Sequence, residues 1–170
     1  VTRYAEKTTT QVTTSQDEIR RTLKRYGASK TLFYHDDETG DGVVQFEMRG
    51  RMIRFMVDVP ALETFRTDRN GYRRSPEDMK KARDQEERRR WRVLLLLLKG
   101  KLEVVADEAV PFDQEFLGNI VLRDRQTVGH HLIPRIQRAY AEDTMPDMLE
   151  DLLPAPDRIL ALPPPQEGQP

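Results

Sequence analysis

Residues 44–60 read Val-Gln-Phe-Glu-Met-Arg-Gly-Arg-Met-Ile-Arg-Phe-Met-Val-Asp-Val-Pro. Val44, Phe46 and Met48 alternate with Gln45 and Glu47, the period of two that marks a strand buried on one face. Arg49-Gly50 supplies a tight turn. Ile53, Phe55, Val57 and Val59 then alternate with Met52, Arg54, Met56 and Asp58, and Pro60 closes the run. This is a β-hairpin signature. The apolar, aromatic run Thr31–Tyr34 comes just before it, across a polar turn at 36–42, so a meander of three strands is expected. Thr8–Thr14, rich in Thr and Val, reads as a short fourth strand at an edge.

One face of such a sheet needs helices over it, and the flanking sequence provides them. Ser15-Gln16-Asp17-Glu18 matches a capping box, opening a helix that buries Ile19, Leu23 and Tyr26 and ends at Gly27. Ser75 is placed to cap a second helix, with Pro76 first and Glu77 and Asp78 near its positive end. This helix is expected to reach about Ala106. Along it the basic block Arg88-Arg89-Arg90-Trp91-Arg92 runs straight into Val93-Leu94-Leu95-Leu96-Leu97-Leu98. Gly100 inside it costs roughly 1 kcal/mol against alanine and points to a kink or close packing. Residues 112–120 form a short amphipathic segment. Thr127 caps a last helix carrying Val128, Leu132, Ile133, Ile136 and Tyr140, which Pro134 should kink or delay. The expected architecture is α+β: an N-terminal helix, a small antiparallel meander, a long helix packed on it, a C-terminal helix and a tail. One domain is expected over 1–143, followed by an acidic, proline-rich, disordered tail over 144–170.

The 170 residues are 37% hydrophobic and 34% charged, polar for a globular chain but sufficient for one modest core. Without cysteine there is no disulfide, thiol catalysis or cysteine-based zinc site. The first residues lack an apolar leader, and Val93–Leu98 is too short to span a bilayer. A cytoplasmic location with no membrane association is expected. The net charge of -1 conceals an asymmetry. Residues 66–92 hold eleven bases against six acids, a net of +5, whereas 141–170 hold one base against seven acids, a net of -6.

Several pieces taken together resemble an uncharacterised family of small proteins from tailed phages and prophages. They are Tyr4-Ala5-Glu6, Ser15-x-x-Glu18-Ile19, Arg25-Tyr26-Gly27-Ala28 and Gly50-Arg51-x-Ile53-Arg54-Phe55. Arg89-x-Trp91-Arg92, Lys99-x-Lys101-Leu102-Glu103, Glu115-Phe116-Leu117, Thr127-Val128-Gly129 and Met145-Pro146 complete the set. The resemblance covers roughly Tyr4 to Leu153 and implies a mobile-element origin and one small domain. It carries over no site residues. Gly100 departs from it, since alanine is the more usual residue there.

The leading candidate site is the basic loop and helix start: Tyr72, Arg73, Arg74, Arg88, Arg89 and Arg92. Guanidinium groups make bidentate contacts to phosphates, and Tyr72 offers a ring for stacking on a base. Against this stands a solvated helix face, with Glu86 and Glu87 pairing locally with Arg90 and its neighbours. Trp91, two residues before the apolar run, reads as core rather than as a stacking platform. The sheet face bearing Arg54, Met52 and Met56 lacks paired aromatics, so cover by the long helix or a second subunit is expected there.

His35-Asp36-Asp37 suits a divalent ion in composition, but neighbours on an extended chain point to opposite faces and the turn accounts for the aspartates. His130 and His131 lie roughly 100° apart on a helix, an awkward chelate. No metal and no cofactor is expected. Catalytic motifs for serine hydrolysis, phosphate loops, zinc peptidases and dinucleotide binding are absent. A nuclease of dispersed carboxylates needs no contiguous motif and stays open, but a non-enzymatic role is favoured.

The expected function is that of a phage or prophage accessory protein acting on DNA or RNA in replication or recombination. The alternative is a protein-interaction module, a homo-oligomeric host-takeover or anti-defence factor. It would engage a host or phage protein through the long helix and the tail residues Met148, Leu149, Leu152 and Leu153.

Overall fold

The computed structural model describes residues 3–143. The helix α1 (Val12–Arg25) precedes three strands, β1 (Ser29–His35), β2 (Gly42–Met48) and β3 (Arg51–Val57). A 3₁₀ turn at Leu62–Phe65, the long helix α2 (Pro76–Ala106), α3 (Phe112–Phe116), a second 3₁₀ turn at Leu117–Asn119 and α4 (Val128–Glu142) follow. The chain divides into two compact units, the first ending at Val128 and the second beginning at Gly129.

In the first unit the strands form one antiparallel sheet in the order β1-β2-β3. The expected alternation holds: Val44, Phe46 and Met48 are buried, and across the hairpin Phe46 lies opposite Ile53 and Val44 opposite Phe55. Arg49 and Gly50 both adopt positive φ, +50° and +74°. That pair of angles gives the type I′ turn whose twist matches the strands it joins. Val121 N donates to Met52 O, and Ile53 bridges to Ile120, so a short segment flanks the β3 edge.

The buried sheet face meets α1 and the second half of α2. Ile19 and Leu23 come from α1, and Trp91, Leu94, Leu95, Leu98, Leu102 and Val105 from α2; Phe112 and Phe116 close the end. The Phe116 ring stands edge-on to Phe46 and Phe55. Tyr26 Oη donates to the Glu103 carboxylate, and Arg92 pairs with Glu18 at 2.8 Å, two ties between α1 and α2. Trp91 is fully buried, as its place before the leucines predicts, and lies directly over Gly42. A Cβ on residue 42 would stand 2.3 Å from Trp91 Cζ2, so only glycine fits.

Five expectations are corrected in whole or in part. Residues 8–14 form no strand, and α1 begins at Val12, with Gln11 at the N-cap position and no side-chain cap bond. Ser15 is therefore inside the helix, buried, with its hydroxyl donating to Gln11 O at 3.4 Å. The preceding carbonyls of Glu6 and Thr8 are bound by Gln85 Nε2 at 3.1 and 2.9 Å, so the segment has no need of a sheet edge. Gly100 has no atom within 4 Å of the position its Cβ would take, so close packing is not its reason. The second sheet face is not covered by α2: Leu32, Tyr34 and Met56 stay exposed on it. In the second unit α4 already begins at Val128 and holds Pro134 inside it, so the proline does not delay the helix start.

Candidate nucleic-acid interface

The basic loop is a small hairpin. Thr67 bridges Arg73, Asp68 N donates to Tyr72 O, and Arg74 N donates to Arg66 O. The Asp68 carboxylate fixes the tip by accepting from the amides of Asn70 and Tyr72 at 2.9 and 2.8 Å. Such aspartate-to-backbone bonds specify a turn locally. Arg74 points back into the hairpin and donates to the carbonyls of Phe65 and Thr67 at 3.2 and 2.5 Å. Arg66, Arg69 and Arg73 are exposed, and Tyr72 is 73% exposed. Four bases against the single acid Asp68 leave residues 66–74 at +3.

Ser75 then starts α2 as expected, its Oγ accepting from Asp78 N at 3.2 Å. The arginines further along the helix are committed elsewhere. Arg89 donates to both Glu86 oxygens at 2.6–2.7 Å, with both side chains mostly buried. Arg90 donates to Glu86 at 3.0 Å and to Asp58 O. Arg88 donates to Gln85 at 3.0 Å and Arg92 is held by Glu18. The hydrogen bonds from Arg89 and then Arg90 hold the Glu86 carboxyl below its ordinary range against the opposing cost of burial. The same contact raises Arg89. Glu86 thus pairs locally, whereas Glu87 turns to His35, 2.8 Å from Nε2.

The candidate residues therefore separate into two groups. Tyr72 and Arg73 project from the hairpin; Arg74, Arg88, Arg89 and Arg92 donate to the protein itself. Between the hairpin, α2 and residues 3–7 lies an open cleft of about 540 Å³. Arg3 and Lys7 join Arg69, Arg74 and Arg89 around it, opposed by Glu6, Asp68 and Glu86. Arg69 pairs with Glu6 across it. Arg3 and Lys7 arrive from more than sixty residues away in sequence, and no local pattern announces them.

Among the described residues no group of three His, Cys, Asp or Glu is placed to hold a metal ion. His35 Nδ1 lies 3.1 Å from Asp37 and its ring meets Trp91 edge-on at 6.1 Å. Asp36 accepts from the amides of Thr39 and Glu38, which lowers its carboxyl pKa. The rings of His130 and His131 meet edge-on at 5.6 Å. No helix among the described residues is long and apolar enough to cross a membrane. Met148, Leu149, Leu152 and Leu153 lie outside the described residues. No family model, curated protein or solved structure matches the chain.

Proposed function

We propose that this chain is a non-enzymatic accessory protein of a phage or prophage that binds nucleic acid through the hairpin 66–74. The observation that carries this reading is the projecting hairpin itself. It presents Arg66 and Arg73 beside the exposed ring of Tyr72, with Arg69 paired to Glu6, on a turn held by Asp68. Cations on a preorganised loop meet phosphates with little ordering cost, and a ring beside them stacks on an unpaired base. Arg88, Arg89 and Arg92 serve in this reading as struts that hold α2 to α1 and to its own preceding turn.

Fluorescence anisotropy with labelled single- and double-stranded DNA and RNA, across a salt series, tests it. Binding at low salt that weakens linearly in the logarithm of salt concentration is expected. Replacing Tyr72 by alanine should weaken single strands more than duplex. Absence of binding at low salt, or binding indifferent to Arg66 and Arg73, refutes the assignment. Replication or recombination genes beside the coding sequence are the expected neighbourhood.

A further inference from the structure

The run Val93–Leu98 places three apolar residues outward: Val93, Leu96 and Leu97 are 36%, 49% and 44% exposed. They lie on the side of α2 opposite Trp91, Leu95, Leu98 and Leu102. Val93, Leu97, Gly100 and Val104 are spaced by four, three and four residues, the a/d spacing of a helix seam. Continued one step each way, the seam reaches Arg90 at one end and Asp107 at the other. A groove of about 380 Å³ beside it, between β3 and α2, is lined by Phe55, Val57, Leu94 and the exposed Met56 together with Asp58, Arg89 and Arg90.

We propose that a second copy of this chain occupies this face, its α2 packed antiparallel on the first about a two-fold axis between Leu97 and Gly100. In that register Leu97 of each copy meets Gly100 of the other, Val93 meets Val104, and Asp107 comes to Arg90, which keeps its bonds to Glu86 and Asp58 O within its own chain. Size and charge are then complementary in every layer. Gly100, with nothing within 4 Å of its Cβ position, is the hollow that receives a leucine. A parallel pairing instead sets Arg90 against Arg90, Asp107 against Asp107 and leaves glycine facing glycine. The two-fold contact is isologous, so one surface serves both copies and the assembly closes as a dimer. Six layers along one helix pair, two of them polar, make a small interface, for which a Kd on the order of micromolar is expected. The proposal does not depend on nucleic-acid binding.

Sedimentation velocity on the full chain, over concentrations bracketing the micromolar range, tests it. Wild type should pass from monomer to dimer. Leu97→Glu should weaken the dimer by at least about tenfold, since a carboxylate would be buried in the seam. Its circular dichroism should not change, because residue 97 is exposed in the single chain. Gly100→Leu separates the registers: it fills the hollow and weakens the antiparallel dimer, while the leucine favours the helix of the monomer. Asp107→Arg should weaken association, because the new guanidinium would meet Arg90 of the other copy. A wild type that stays monomeric overturns the proposal. So does a dimer untouched by Leu97→Glu, a dimer tightened by Gly100→Leu, or a monomer that uses Leu97 only to hold a different protein.

Discussion

Adding one methyl group at Gly42 and one at Gly100 should move stability in opposite directions. At Gly42 the new Cβ would lie 2.3 Å from Trp91 Cζ2 and 2.9 Å from Cη2, about 1.1 Å short of the 3.4 Å at which carbon contacts become ordinary. The indole is fully buried, with His35 against its edge, so it cannot swing aside cheaply. Overpacking of this kind costs about 1–3 kcal/mol, against which alanine in place of strand glycine returns roughly half a kcal/mol. Gly42→Ala should therefore destabilise by about 1.5 kcal/mol, and with a urea m-value of about 2 kcal/mol/M the midpoint falls by about 0.75 M. Gly100→Ala meets nothing within 4 Å and should stabilise the monomer by about 0.8 kcal/mol. The single tryptophan, at the Gly42 contact itself, reports unfolding by fluorescence. Trp91→Phe removes Cζ2 and Cη2, so Gly42→Ala in that background, followed by circular dichroism, should lose most of its penalty, a coupling of about 1 kcal/mol or more. A Gly42→Ala protein within about 0.5 kcal/mol of wild type, or no coupling to residue 91, would refute the close-approach argument, since that spread is expected of surface changes.

The Glu86 carboxyl is held below its ordinary 4.5, so the stability it contributes is present above that pH and is lost as pH falls through the lowered value. Asp36, lowered from 3.8, acts in the same sense. Urea midpoints over a pH series should drop below about pH 4.5, and Glu86→Gln should flatten part of that drop. Converting Arg66 and Arg73 to glutamine should reduce the slope of log affinity against log salt by about two, near 0.9 per lost phosphate contact. Arg88→Gln with Arg92→Gln should leave the slope alone and lower the urea midpoint. Arg49→Asn relieves a positive φ at a non-glycine turn position and should stabilise the β2–β3 hairpin by about 0.5 kcal/mol, read from the same unfolding curves. Gln85→Ala frees the carbonyls of Glu6 and Thr8, so trypsin should cut after Arg3 and Lys7 faster than in wild type.

The meander and the long helix were legible because each carries its period over a long run. Phe46, Ile53 and Phe55 alternate without interruption, and Ser75-Pro76 states where α2 begins. The start of α1 was not legible, because threonine and valine favour strands locally whereas Gln85, on α2, satisfies the arm that precedes the helix. Arg92 looks available in the sequence because its partner, Glu18, lies far along the chain. Six consecutive apolar residues cover every side of a helix, so the run 93–98 gives no period from which to tell its buried side from its exposed side. The contact of Gly42 with Trp91 joins residues from two elements, and nothing in either local sequence marks it.

The two halves of α2 differ in what would have to be undone to open them. No residue of the turns from Pro76 to Arg90 is buried, whereas Trp91, Leu94, Leu95, Leu98, Leu102 and Val105 all are. Local opening is cheapest where few apolar contacts must be broken, so native-state amide exchange should run as a gradient along this one helix. The amides after Trp91 should exchange only through global unfolding, and those nearer Pro76 through fraying that leaves the core intact. A ligand held by the hairpin 66–74 would then announce itself as slowed exchange in the turns next to Ser75, with the leucine half unchanged.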